Sequence, residues 1–224
     1  MLRGITDWIF DLDNTLYRGD ARFFAQIDKK MTDYIARYLA LHPTEARLLQ
    51  KEYLVEYGTS LSGLMAVHGM DPADFLDYVH DIDLDMLKPK PELRSLIDAL
   101  PGRKFILTNG SRGHARKVGT HLGLYDLFDG VFAIEDVDYI PKPKRSPYVC
   151  FCDAFDIEAT QAIMFEDSIR NLEVPKYMGM RTVLVTSDHD WHTPVLNKPT
   201  GETGPAPYVD YVTDDLVTWL SAHT

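Results

Sequence analysis

Cysteine is nearly missing from this chain. Of 224 residues only Cys150 and Cys152 carry a thiol. With one residue between them they are too close for an ordinary structural bridge, which excludes a disulfide framework and favours a reducing compartment. No Cys and His spacing fits a zinc finger. Positive charge is also short: 23 Lys and Arg face 34 Asp and Glu, a net charge of −11. That field repels polyanions and anionic lipid headgroups, so neither a nucleic acid polymer nor a membrane is expected as partner. Long apolar runs are lacking as well. The opening MLRGITDWIFDLD meets acid too soon for a signal peptide or a membrane span, and the expected location is cytoplasmic. No internal repeat is seen.

What is present is ordinary globular composition, 45% hydrophobic and 25% charged, which excludes disorder and low-complexity architectures. At about 150 residues per domain, the length suits one core with a sizeable insertion. Short apolar runs at residues 5–10, 105–107, 131–134, 162–165 and 182–185 each lead into a polar residue: Asp11, Thr108, Glu135, Glu166 and Thr186. Helical patterns at 112–122 and 169–178 lie between them, each followed by Gly at the C-terminal position. Strands alternating with helices predict an α/β fold with a doubly wound parallel sheet.

The stretch between the first two runs is far longer than a crossover helix requires, and it reads as helical throughout. After Asp20 as N-cap, Phe24, Ile27, Met31, Tyr34, Ile35 and Tyr38 recur at helical spacing. Further helices are predicted from Pro43 to a stop near Gly58, over 60–68, and over 72–80. The KPKP segment at 88–91 is the return linker. Residues 1–17 and 89–224 are therefore expected to form the α/β core, and residues 18–88 an inserted, all-helical cap. A surface loop is predicted over 186–207, before a last strand at 208–212. Its Asp188, His189, Asp190 and His192 read better as a solvated turn than as a metal site.

The first run ends in Asp11-Leu12-Asp13-Asn14-Thr15. If the chain turns there, both carboxylates converge on the crevice at the C-terminal edge of the sheet, where open α/β sheets bind ligands. Paired carboxylates at that edge point to divalent-metal chemistry. Taken alone, the pair also reads as a helix cap and turn. The other strand ends change the balance: Thr108-Asn109-Gly110 places a hydroxyl and exposed backbone N–H groups at a helix start, an anion-binding arrangement. Lys142 stands between Pro141 and Pro143, and Glu166-Asp167-Ser168 brings a second acidic pair to the same edge.

Those four segments, in that order, resemble the motifs of the haloacid dehalogenase-like superfamily. Within it, residues 52–58 (EYLVEYG), Gly63-Leu64, the Leu87-Lys88-Pro89 return, and Thr108-Asn109 with His114 and Arg116 resemble the pyrimidine 5′-nucleotidase branch. The resemblance implies a phosphomonoesterase whose substrate is a small-molecule phosphate ester. Asp11 would be the nucleophile, and Mg²⁺ would be held by Asp11, the Asp13 carbonyl and Asp167, with Glu166 behind them or as an alternate ligand. Asp13 would be the general acid and then the base, which implies a raised pKa. Thr108, Asn109 and Lys142 would bind the phosphoryl group. The cap would select the leaving group, with Tyr57, Gly58 and Thr59 as candidates and a small pyrimidine pocket excluding purines by clash.

A dehalogenase would use Asp11 but would have little purpose for Asp13, because halide leaves without a proton. A sugar-phosphate or phosphoglycolate phosphatase, or a phosphomutase, would keep every motif, and a catalytically silent binding module would not need them intact. Trp8, Trp191, Trp219 and both cysteines are expected to pack the core or line loops.

Overall fold

The computed structural model describes residues 2, 4–19, 21–186 and 206–223. Among these, six strands form one all-parallel sheet in the order β3-β2-β1-β4-β5-β6. The strands are β1 Asp7–Phe10, β2 Arg103–Leu107, β3 Gly130–Phe132, β4 Ala162–Glu166, β5 Arg181–Val185 and β6 Tyr211–Thr213. β1 lies mid-sheet between β2 and β4, so its C-terminal end opens on the switch point of the winding, where doubly wound sheets bind their ligands.

Successive β1 residues point to opposite faces, and both faces are covered. Trp8 and Phe10 join one buried cluster with Ile106, Ile163 and Phe165, whereas Ile9 joins a second with Phe105, Leu107 and Met164. Phe10 stacks on Phe165 at 4.6 Å between ring centroids. This double coverage explains why the strands read as unbroken apolar runs. Trp8 also donates from Nε1 to the Pro101 carbonyl at 2.7 Å, and Trp219 is buried.

Between β1 and β2 the chain builds four helices, α1 Ala21–Leu39, α2 Pro43–Tyr57, α3 Ser60–His68 and α4 Pro72–Val79. Local chemistry fixes their ends. His42 caps α2 by accepting from Thr44 N–H while its own N–H donates to the Glu45 carboxylate, Thr59 Oγ1 accepts from Ser62 N–H at the start of α3, and Asp71 caps α4. Gly58 ends α2 at φ +85°, a left-handed conformation that favours glycine. Gly63 lets α3 pass close to α2: a Cβ there would lie 2.4 Å from the Tyr53 ring. These helices share their own apolar cluster, including Ile35, Tyr53, Leu64, Phe75 and Val79, separate from the two against the sheet.

The core continues through α5 Pro91–Asp98, α6 Arg112–His121, α7 Arg145–Phe155, α8 Glu173–Met178 and α9 Leu216–His223. Three readings shift. The run at 131–134 ends as strand at Phe132, and Ile134–Val137 forms a 3₁₀ turn. The helix expected over 169–178 starts as a 3₁₀ turn at Ile169–Leu172 before α8. The last strand is Tyr211–Thr213, not 208–212, and it is a short edge strand. Asp20, Trp191 and the cluster Asp188, His189, Asp190 and His192 lie outside the described residues. Both cysteines are free thiols, Cys150 exposed and Cys152 half-buried, with burial pushing the Cys152 thiol up to about 11. No described helix is long and apolar enough to cross a membrane.

Candidate active site

The site begins where β1 stops. Asp11 N–H still donates to the Phe165 carbonyl at 2.9 Å, so β4 fixes the backbone there before the chain turns away. The Asp11 carboxylate is met by Lys142, whose Nζ lies 2.7 Å from Asp11 Oδ1, 2.7 Å from Glu166 Oε2 and 2.8 Å from the Leu107 carbonyl. All three ammonium protons are thereby used, as a buried cation requires. Asn109 sets the lysine: its Oδ1 accepts from Lys142 N–H at 2.8 Å and its Nδ2 donates to the Lys142 carbonyl at 3.2 Å. The Asn109 side chain therefore holds the Lys142 segment, and contact with a phosphate would fall to its backbone.

Asp167, the third acid, accepts from Asn14 Nδ2 at 2.9 Å. Carboxylate oxygens of Asp11, Glu166 and Asp167 lie within 4.8 Å of one another. Burial pushes Asp11 up to about 7, with repulsion from Glu166 adding to it and Lys142 opposing. Burial likewise raises Asp167 to about 6, and it raises Glu166. Three buried carboxylates against one ammonium leave an excess of negative charge that a hard divalent cation would neutralise, so the donor set fits Mg²⁺. Glu166 sits within the acid cluster, with Oε2 on Lys142 and Oε1 accepting from Ser168 N–H at 3.2 Å.

Asp13 lies two residues on and in different surroundings. Its Oδ1 accepts from the Tyr17 hydroxyl and lies 2.8 Å from His114 Nε2. Burial would raise its pKa, but the electrostatic pull of His114 and the hydrogen bonds from His114 and Tyr17 outweigh that and hold it at about 2. The raised value expected for a general acid is thus not that of the resting site. The reason is that two donors converge on one oxygen. Thr108, also buried, accepts from Gly110 N–H at 2.9 Å, which leaves its own hydroxyl proton free to donate. A Cβ on Gly110 would come within 3.2 Å of Thr108 Oγ1, 3.3 Å of His114 Cδ2 and 3.5 Å of Asp13 Oδ2, so glycine keeps this corner open.

A recess of about 210 Å³ is lined by Asp11, Asp13, Thr108, Lys142, Glu166 and Asp167. It shares Asp13, Phe24, Asn109 and Gly110 with a larger cleft of about 610 Å³ under α1–α4. One wall of that cleft is apolar, with Met31, Phe75, Leu76 and Ile134. The other carries Asp28, Arg47, Gln50 and Lys51. Asp28 accepts from Arg47 Nη1 at 2.7 Å, from Gln50 Nε2 at 2.9 Å and from Lys51. Buried Thr32 fixes Gln50 by donating to its Oε1.

Of the three cap candidates, Thr59 lines this cleft, but Tyr57 and Gly58 do not. Tyr57 packs edge-on against Tyr53, 5.6 Å between centroids, and Gly58 closes α2. At about 610 Å³ the cleft is of ordinary ligand-pocket size. The polar wall of the cap went unread because Asp28, Arg47 and Lys51 look like a solvated helix face in sequence. Tyr17 and His80 carried no signal of their own. His114 was legible only as a marker of resemblance, and Arg116 lines a separate open groove along α6.

Comparison with known proteins is decisive for the family. Residues 9–179 match the haloacid dehalogenase-like hydrolases. The chain belongs to that family. Among its relatives is phosphate metabolism protein 8 of Saccharomyces cerevisiae, 28% identical over 79% of this chain; the chain spans 60% of that protein's length. Validoxylamine A 7′-phosphate phosphatase of Streptomyces hygroscopicus subsp. limoneus is 27% identical over 81% of this chain and 86% of its own. The fold matches that of a HAD phosphatase from Thermococcus onnurineus at a TM-score of 0.64 and 20% identity, over 98% of both chains. Haloacid dehalogenases share the fold as well, so the fold alone does not choose the reaction.

Proposed function

We propose that this hydrolase is a phosphomonoesterase working through an aspartyl phosphate, with pyrimidine nucleoside 5′-monophosphates as preferred substrates. The observation that carries the chemistry is that one recess holds Asp11 against Lys142 and, across from it, Asp13 with Oδ1 taken and Oδ2 beside Gly110. Asp11 attacks phosphorus, forming an acyl phosphate as the bond to the leaving oxygen breaks, and Asp13 gives that oxygen its proton. Water then attacks phosphorus, Asp13 takes the water's proton, and Asp11 is regenerated with release of inorganic phosphate. The approach of phosphate and exclusion of water under the cap both push Asp13 upward from its resting value, so its proton is taken up with substrate.

Lys142 and the Thr108 hydroxyl hold phosphoryl oxygens, with Asn109 keeping Lys142 in place. Asp11, Asp167 and the Asp13 carbonyl, with Glu166 beside them, would hold a Mg²⁺ ion, which would supply charge neutralisation. The need for a proton donor at Asp13 favours ester over halide as leaving group. The likeness to two proteins named for phosphate metabolism and a phosphate phosphatase supports the same choice.

For the leaving group, the apolar wall suits a planar ring, while Arg47 and Lys51 offer hydrogen-bond donors to carbonyl oxygens, which pyrimidine bases carry. A sugar phosphate is the second reading, favoured by the relative that acts on validoxylamine A 7′-phosphate. Phosphate release across UMP, CMP, AMP, GMP, phosphoglycolate and glucose phosphates tests the assignment. Higher kcat/KM for UMP and CMP is expected. Equal or higher values for purine nucleotides or sugars would overturn the substrate while leaving the phosphatase chemistry standing.

A further inference from the structure

The Asp13 carboxylate is tied to the cap by a pair of histidines. His114 projects from the first turn of α6, its side chain fully buried, and its Nε2 lies 2.8 Å from Asp13 Oδ1. The ring stacks on His80 at 4.2 Å between centroids and 19° between planes. His80 is the residue that ends α4, the last of the four helices of the insertion. Its Nδ1 lies 3.0 Å from Ser111 Oγ, and the same oxygen caps α6 by accepting from His114 N–H at 3.1 Å. Asp13, His114, His80 and Ser111 thus form one connected cluster spanning core and cap.

Packing alone does not account for His114. Its Nδ1 is buried without a hydrogen-bond partner, and an unsatisfied buried polar atom costs about 1–3 kcal/mol. An aliphatic side chain would fill the same space without that cost. The one hydrogen bond the ring makes goes to Asp13. With Tyr17 it occupies Oδ1, which turns Oδ2 toward Gly110 and the recess where a leaving oxygen would sit.

We infer that His114 is a positioning residue that aims Asp13 Oδ2 at the leaving group, and that the stacked His80 couples this aim to the seating of the cap. The inference rests on the phosphatase reading. Proton transfer from a positioned acid contributes about 10²–10⁴-fold, and misplacing such a group by about 1 Å costs on the order of 10²-fold. Alkyl phosphates need that proton, whereas p-nitrophenyl phosphate, with a good leaving group, hardly does.

The test measures KM and the single-turnover rate of phosphoenzyme formation for an alkyl phosphate and for p-nitrophenyl phosphate in wild type, Asp13→Asn, His114→Ala, His114→Gln and His80→Ala, with melting temperatures alongside. His114→Ala should slow phosphoenzyme formation from the alkyl ester by on the order of 10²-fold, and change that from p-nitrophenyl phosphate and both KM values little. His114→Gln, which can still donate, should recover part of the loss. His80→Ala should show the same contrast in weaker form. If Asp13→Asn shows the leaving-group contrast but His114→Ala and His114→Gln slow both substrates alike, the positioning role is overturned and the phosphatase reading stands. If His80→Ala leaves the ratio of the two rates at its wild-type value, the coupling to the cap is overturned. A wild type inactive on every phosphate ester would overturn the phosphatase reading itself. Should His114→Ala fold poorly, His114→Gln and His80→Ala still decide the matter.

Discussion

The two halves of the site use the same side chain to opposite ends. On the sheet side Asp11 shares a buried space with Glu166, Asp167 and the Lys142 ammonium, and burial with repulsion pushes it up to about 7. On the cap side Asp13 faces His114 and Tyr17, and against burial they hold it at about 2. Burial acts on both. What separates them is whether the nearest partners are other acids or donors. The first half calls for an added cation; the second needs none and instead connects to the helical insertion through His80. A D-x-D spacing thus places its two carboxylates in opposite electrostatic surroundings because the chain turns between them.

Removing either acid should break this comparison in a distinct way. Asp11→Asn is expected to lower kcat by on the order of 10⁴-fold or more on every ester, as removal of a nucleophile does elsewhere, with the fold retained by circular dichroism. Near-native turnover by a protein freed of contaminating phosphatase would contradict the assignment. Asp13→Asn is expected to slow phosphoenzyme formation by about 10²–10⁴-fold with alkyl phosphates and far less with p-nitrophenyl phosphate. Equal losses in phosphoenzyme formation on the two would remove the general acid from the account.

The pH dependence of stability separates the halves without any substrate. In metal-free protein Asp11 has a folded value of about 7 against its ordinary 3.8. Its protonated form therefore favours folding at low pH, and that contribution is lost as pH rises toward 7. Asp13, at about 2, contributes stability that is present above 3.8 and is lost as pH falls toward 2. Urea denaturation between pH 4 and 8, approximately the span of these shifts, should show Asp11→Asn gaining on wild type as pH rises, and Asp13→Asn losing stability throughout. The opposite slope for Asp11→Asn would contradict its burial among acids. Added Mg²⁺ should restore both activity and thermal stability at the upper end, by mass action on the folded state.

The sheet edge was legible because its residues are signalled locally: an apolar run that stops at an acid, a Thr before Gly, a Lys between prolines. Asp11, Thr108, Lys142, Glu166 and Asp167 could be chosen without knowing any contact. The helical insertion was legible too, through Pro43, Gly58, Asp71 and the spacing of Phe24 to Tyr38. The cap wall was not, since Asp28 meets Arg47 and Lys51 only when α1 and α2 pack, and the charges alone resemble a solvated face. The Asn109 clamp on the Lys142 backbone was not legible either, because it is a contact between distant segments. Asp13's low pKa could not be read for the same reason: His114 stands far along the chain.

Smaller effects sharpen the contrast between the chemical floor and the selecting wall. Arg47→Ala or Lys51→Ala should lower kcat/KM for UMP by about 10-fold, the worth of one lost charged hydrogen bond, and leave p-nitrophenyl phosphate nearly unaffected. A uniform loss on both substrates would place these cations outside leaving-group recognition. Tyr57→Ala should change kcat/KM for UMP by no more than about twofold, as a substitution away from the cleft does; a loss on the scale of Arg47→Ala would return leaving-group selection to Tyr57.

The division of labour between Asp11 and Asp13 is tested most directly by rapid quench of Asp13→Asn with p-nitrophenyl phosphate and Mg²⁺, followed by peptide mass mapping. The account predicts a burst of one p-nitrophenolate per site, slow turnover afterwards because the base for water is gone, and one phosphoryl group on the peptide that contains Asp11. Steady turnover with neither burst nor adduct, or an adduct on another residue, would contradict it.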